Sequence, residues 1–338
     1  MTESVLADLQ QTVLKVEEQI NTVVLGQDEV IRQCLICLLA RGHVLLEGDV
    51  GVGKTTLLRA LARALGGGFS RMEGSIDMTP ADLLYHTYIS AEGRPQVEPG
   101  PLLSHAEELS VFFFNEINRA RPQVQALLLR AMAERSVSAF NRDYALPHMT
   151  TFADRNRVEK GETFELAAAT RDRFMMELKV EVPADDATRM TLLLDPRFHD
   201  VDQLIGGISP ASLSYALLSE VAPVIQKNVK ASDAIGEYCL GLMNATSDPS
   251  RFGIKLDDLD SDDLVIAGAS PRGMSLLLRA ARARAFIEAR DYLVPEDIRA
   301  VFADAMTHRI FFNPVMSFQT PNLAARFVTE VLNRVGAP

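Results

Sequence analysis

Thirteen residues, Val44 to Thr56, read VLLEGDVGVGKTT. Within them Gly48, Gly53, Lys54 and Thr55 fit the spacing G-x-x-x-x-G-K-[ST]. Gly51 and Gly53 let the backbone curl, so that N–H groups along Gly48, Asp49, Val50, Gly51, Val52, Gly53 and on into Lys54, Thr55 and Thr56 converge on phosphate oxygens. A following helix turns its positive end to the same anion. Lys54 reaches the β- and γ-phosphates, and Thr55 offers a hydroxyl to Mg²⁺. The expected chemistry is binding of a nucleoside triphosphate.

Cleaving it needs a second acidic group. Residues 111–116, VFFFNE, end in Asn115 and Glu116. Glu116 can polarise a water for in-line attack on the γ-phosphate. Asn115 stands where such strands carry Asp and is the candidate metal-site residue beside Thr55. It keeps a carbonyl acceptor for a Mg²⁺-bound water but removes a full negative charge. Two readings stand side by side: Mg²⁺ dependence or turnover is weakened, or Asn suffices because the group acts through water.

These residues need a scaffold. His43 to Leu46 reads as a short strand running into the loop, TLLRALARAL as the helix after it, and VFFFNE as a buried parallel strand. That alternation predicts an α/β core with a parallel sheet. Residues 75–103 carry four prolines and read as a turn-rich protrusion. Alternation around Asn141-Arg142-Asp143 predicts a β-hairpin at 135–147. Residues 183–210, broken by Pro, Asp and Gly, read as a linker with one short helix. Residues 211–338 show helical periodicity without clear core strands, interrupted by an acidic, solvated run at 257–263. The expected division is a nucleotide-binding core over 1–182, the linker 183–210 and a helical domain over 211–338.

Composition narrows the classes. With 34 Lys+Arg against 45 Asp+Glu, the net charge of −11 argues against coating nucleic acid or an anionic membrane. Three cysteines give no disulfide framework, and Cys34 and Cys37, in VIRQCLICLLA, read as buried helix residues. No run of roughly 18 apolar residues would span a bilayer, and MTESVLADLQQTVLKVEEQI lacks the basic start and cleavage site of a signal peptide. The expectation is a soluble, cytoplasmic protein.

Four segments in order then identify a family. FFFNEINRARPQVQALLLRAMAERSV resembles the ADEINRAPPKTQ…LLEAM segment of MoxR-type AAA+ ATPases. VLGQDEVIRQCLICLLARGHVLLEG resembles that family's run into its phosphate loop, and TFADRNRVEKGETFELAAATRDRF its ATQNP…LDRF block. ASPRGMSLLLRAARARAFIEARDYLVPEDIRAV resembles its SPR…LLRAA…A…GRDYVTPEDV lid segment. The matches run from about residue 20 to about 310, and the branch encoded with methanol-oxidation genes is as similar as any.

The resemblance implies an AAA+ αβα core with a helical lid, ATP with Mg²⁺ as ligands, and a hexameric ring. Glu116 becomes the catalytic acid. Asn156 falls at the sensor-1 position, which orients the attacking water; Arg157 follows it where the family has Pro. Arg173, in RDRF, matches the arginine finger that completes the neighbouring subunit's site, with Arg171 as its rival. Arg272, after Ser270 and Pro271, matches sensor 2, with Ser270 a plausible N-cap. Residues 75–103 match the helix-2 insertion, and 135–147 the hairpin before sensor 1. The family further implies chaperone-like remodelling or maturation of a protein client, with a von Willebrand factor A domain partner; on the methanol-oxidation branch the client is methanol dehydrogenase or its assembly machinery. A nucleotide-gated scaffold with little turnover is the alternative, motivated by Asn115. A DNA motor is disfavoured by the net charge and by a hairpin tip decorated by Arg142 alone, and a small-molecule kinase by the lid and finger motifs.

Overall fold

The computed structural model describes residues 3–156, 164, 166–256 and 264–338. Arg157 and the acidic run 257–263 lie outside the described residues. Two helices, α1 (Glu3–Asn21) and α2 (Asp28–Leu39), precede β1 (Val44–Glu47), α3 (Lys54–Leu65) and β2 (Gly68–Glu73). Next come α4 (Pro80–Leu84), the strands β3 (Tyr85–Ile89) and β4 (Pro95–Pro99), β5 (Leu109–Asn115) and α5 (Pro122–Glu134). β6 (Ser136–Ala139), β7 (Arg142–Ala145), β8 (Thr150–Arg155), α6 (Ala168–Arg171) and β9 (Met176–Lys179) follow.

Five strands form one parallel sheet in the order β2-β5-β8-β1-β9. Both faces are covered, which is why residues 111–114 of β5 are an unbroken apolar run rather than alternating. Val111 and Phe113 point into a core shared with α1, α2 and α3, whereas Phe112 and Phe114 point into a second core with α5. The α/β expectation is therefore met, with each strand displaced from its expected bounds by a residue or two.

β3 and β4 pair antiparallel, so the segment expected to be turn-rich carries a regular, exposed hairpin. Its prolines sit at the ends of β4, where a missing N–H costs no ladder bond. β6 and β7 form the second hairpin, turning through Phe140 and Asn141, both at positive φ, the backbone of a type I′ turn. The Tyr85 and Phe140 rings, 4.7 Å apart, join the two hairpins.

The segment after the sheet differs from expectation. Instead of one short helix it contains α7 (Asp186–Leu194) and α8 (Val201–Gly206), separated by a 3₁₀ turn at Pro196–His199. The aspartates that looked like breaks are caps: Asp185 accepts from the Thr188 N–H and Asp200 from the Gln203 N–H.

The C-terminal part is helical: α9 (Tyr215–Asn228), α10 (Asp233–Ser247), α11 (Pro271–Ile287), α12 (Pro295–Met306), α13 (Pro314–Gln319) and α14 (Leu323–Arg334). It also holds a small antiparallel pair, β10 (Val265–Ala267) with β11 (Phe311–Phe312). Ser270 caps α11, accepting from the Gly273 N–H at 3.0 Å, with Pro271 in the first turn. α11 packs against α2, α9 and α12, so one continuous apolar core joins the N-terminal helices, one sheet face and the C-terminal helices. Cys34, Cys37 and Cys239 are free, buried thiols, pushed upward in pKa by that burial.

Candidate active site

β1 ends at Glu47 and α3 begins at Lys54, leaving six residues to form the loop. Gly51 and Gly53 have φ of 84° and 92°, the left-handed region that side chains resist. Asp49 and Val50 lie exposed on the loop's outer turn. Thr55 and Thr56 sit half-buried in the first turn of α3, where unpaired N–H groups face an anion. Lys54 is buried: its Nζ donates to the Gly48 carbonyl at 2.6 Å and to Asn156 Oδ1 at 3.0 Å, and lies 2.8 Å from Asp154 Oδ2.

The strand order explains how distant residues reach that ammonium. β8 lies between β5 and β1, and parallel strands present all three C-terminal ends at one edge, where α/β folds bind ligands. Asn115 closes β5 and Glu116 follows at φ 54°, ψ 51°. A left-handed non-glycine costs on the order of 1 kcal/mol. Here the strained residue is the candidate catalytic acid. Glu116 Oε1 accepts from Asn156 Nδ2 at 3.0 Å and Oε2 from Arg119 at 3.0 Å. Asn156 therefore bridges Lys54 and Glu116 with the two ends of one amide. That geometry can hold a carboxylate in place beside the phosphate-binding lysine.

Sequence reasoning missed Asp154. It is 1% exposed, carries the Lys54 contact and accepts the Glu116 N–H at 2.5 Å. Oriented by its hydrogen-bond partners, the Asn115 amide places its nitrogen 3.3 Å from both Asp154 oxygens. The signal was present: an acidic residue ends the buried part of β8, TTFAD, the same mark by which Glu116 was found.

Arg173 and Arg272 are not in this cluster. Half-buried Arg173 donates to the Leu129 carbonyl at 3.4 Å, whereas Arg272 is exposed and lies 3.3 Å from Asp172 Oδ2. Arg171 stacks its guanidinium 5.0 Å over Phe311. Asp172 is the hub: it also meets Arg309 Nε at 3.1 Å and Ser270 Oγ at 3.4 Å. Arg309, another residue the sequence reading passed over, is 3% exposed and also donates to the carbonyls of Asp172, Phe174 and Met175. Burial pulls its pKa down to about 10.

Beside the loop lies a cavity of about 260 Å³. Val23, Val24, Val182, Pro183, Leu192 and Phe198 line it, with Gly51, Gly53 and Thr56 at its inner edge. An apolar cavity lined in part by the phosphate loop fits a nucleobase. The oxygen donors nearby, Thr55 and the carboxylate of Asp154, suit Mg²⁺, a hard cation that keeps several waters and leans on phosphates. Among the described residues no group of three or more His, Cys, Asp or Glu would cage a metal unaided.

Comparison with known proteins adds the family and the fold. Residues 43–176 match the ATPase family associated with various cellular activities (AAA), and 259–329 match the AAA lid domain. The chain is 54% identical to Protein MoxR of Methylorubrum extorquens, over 99% of this chain and 98% of that one. It is 52% identical to Protein MoxR of Paracoccus denitrificans over 95% of each, and 32% identical to Chaperone MoxR1 of Mycobacterium tuberculosis over 86% of this chain and 74% of that one. A crystal structure of a proposed ATPase from Cytophaga hutchinsonii superposes with a TM-score of 0.86 at 27% identity, covering 99% of this chain and 98% of that one.

Proposed function

The chain belongs to the MoxR family of AAA+ ATPases and is an ATP hydrolase, and from that premise we propose that it works as a Mg²⁺-dependent ring, expected to be hexameric, that remodels or matures a protein client. The observation that carries the hydrolytic half is the Asn156 bridge between Lys54 and Glu116. ATP binds with its base in the apolar cavity and its phosphates on the Gly48–Thr56 loop. Thr55 would hold the cation, which would offset phosphate charge when bound. Glu116 takes a proton from the attacking water, Asn156 orients that water, and Lys54 stabilises charge on the γ-phosphate. Arg173 completes the site of the adjacent protomer.

Arg272 couples the lid to this cycle. It begins α11 and pairs with Asp172, next to Arg173, so a lid rotation moves both arginines. We place the core at 1–182, the connecting helices at 183–210 and the lid at 211–338. The client face is the pair of hairpins, where Tyr88, Ile89, Val97 and Phe140 are exposed. The name of the mycobacterial relative supports a chaperone role. The family resemblance supports a von Willebrand factor A domain partner and, on the methanol-oxidation branch, methanol dehydrogenase as client. Among the described residues no helix is long and apolar enough to cross a membrane.

Phosphate release measured beside particle mass, with and without ATP and Mg²⁺, tests this reading. Assembly with ATP but no phosphate release would favour the scaffold alternative motivated by Asn115. Neither assembly nor release would contradict both.

A further inference from the structure

Asp154 takes no step in the hydrolytic scheme above, yet it occupies the centre of the site. Its Oδ2 lies 2.8 Å from Lys54 Nζ, its Oδ1 holds the Glu116 N–H, and both oxygens face the Asn115 amide nitrogen at 3.3 Å. We propose that Asp154 supplies the metal-site carboxylate that Asn115 lacks, the charge having moved one strand along the sheet toward the phosphate loop. The inference rests on the ATPase reading above and adds the residue that answers the cation.

Register makes the transfer possible. Phe114 pairs with Ala153 and Leu46 with Asp154, so Asn115 and Asp154 come next to each other, one strand from the start of the loop. Side chains two apart share a sheet face. Asn115 follows Phe113, and Asp154 follows Phe152, on the face that packs with α3. Either position can present a carboxylate to the first turn of that helix, where Thr55 lies.

Asn115 and Asp154 explain each other. An Asp at 115 would set a second carboxylate against Asp154, and like charges that close do not both ionise. An amide donates to Asp154 instead. Asn115 is thus the complement of Asp154 rather than a plain loss of charge.

Electrostatics supplies the third argument. A carboxylate that is 1% exposed requires a compensating cation. The Lys54 ammonium provides it. The same ammonium is the group that phosphates draw away, and when Lys54 turns to them Asp154 is left with a buried charge that a divalent cation at Thr55 would balance.

The test is the affinity of a fluorescent ATP analogue in MgCl₂ and in EDTA. The unaltered protein should bind more tightly with Mg²⁺. Asp154→Asn should lose about tenfold or more of that Mg²⁺-dependent gain while still binding in EDTA. Asn115→Asp alone should also lose it, and the double variant Asn115→Asp/Asp154→Asn should recover it. An Asp154→Asn protein that keeps the full gain would overturn the inference. Should that variant fail to fold, the double variant decides: a folded double variant with the gain supports the transposition, and one without it overturns it. Failure of the unaltered protein to bind in either buffer would remove the ATPase reading and the inference together.

Discussion

Glu116 leaves β5 in a left-handed turn and is pinned from two sides by Asn156 and Arg119. An acid held this way is set for one task, so its removal should separate binding from chemistry. Glu116→Gln is expected to bind ATP as the unaltered protein does but to release phosphate on the order of 10²–10⁴ times more slowly, as read by binding and steady-state turnover side by side. Lys54→Ala should lose nucleotide binding. It should also lower stability by about 3 kcal/mol in urea unfolding, because Asp154 is left buried without its ammonium. Legibility divides along the same line. Lys54, Thr55 and Glu116 were readable because each sits in a contiguous strand–loop segment whose residue types have few other uses. Asp154 bore the same mark as Glu116, but its role was hidden because it meets Lys54 only through strand order; Arg309 bore no mark, since it meets Asp172 through the docking of the C-terminal helices.

At the scale of elements, the polar contact most directly beside the site that joins the sheet to the C-terminal helices is the Asp172 hub. Arg309, after α12, holds the 172–175 segment, and Arg272 at the start of α11 reaches the same carboxylate. Arg309→Met should cost about 3 kcal/mol in urea unfolding by leaving those carbonyls and Asp172 without their donor. Arg272→Ala, at an exposed position, should cost under about 1 kcal/mol. A second contact titrates. Asp304 on α12 is raised from 3.8 to about 7, chiefly by burial, with Glu29 of α2 adding to the shift and Lys179 of β9 opposing it. The folded chain therefore holds a proton there that the unfolded chain releases near pH 4. Stability should fall as pH rises from about 4 to about 7. Asp304→Asn should flatten that slope and stabilise the protein at pH 8 by on the order of 2 kcal/mol, as shown by unfolding curves at pH 5 and pH 8. Elements with an unbroken period, such as α2, α3 and α11, were legible from the sequence. α7 and α8 were half-hidden because Asp185 and Asp200, which look like loop residues, are the caps that start them.

For the whole molecule, the continuous apolar core from α1 through the sheet face to α14 means that lid and core share packing. On the reading proposed above, a change of lid angle during the cycle would be a small rotation of packed helices about the Asp172 contacts with Arg272 and Arg309. Arg173, beside that hub, is the side chain through which such a rotation would reach a neighbour. On the ring reading proposed above, a completed site takes Lys54 and Glu116 from one protomer and Arg173 from the next. The most direct check is phosphate release from a mixture of two variants, Lys54→Ala and Arg173→Ala, each unable to turn over ATP alone. The expected result is turnover on mixing, because mixed rings pair an intact phosphate loop with an intact arginine across the interface. A mixture as silent as its two components, beside an active unaltered protein, would contradict the account.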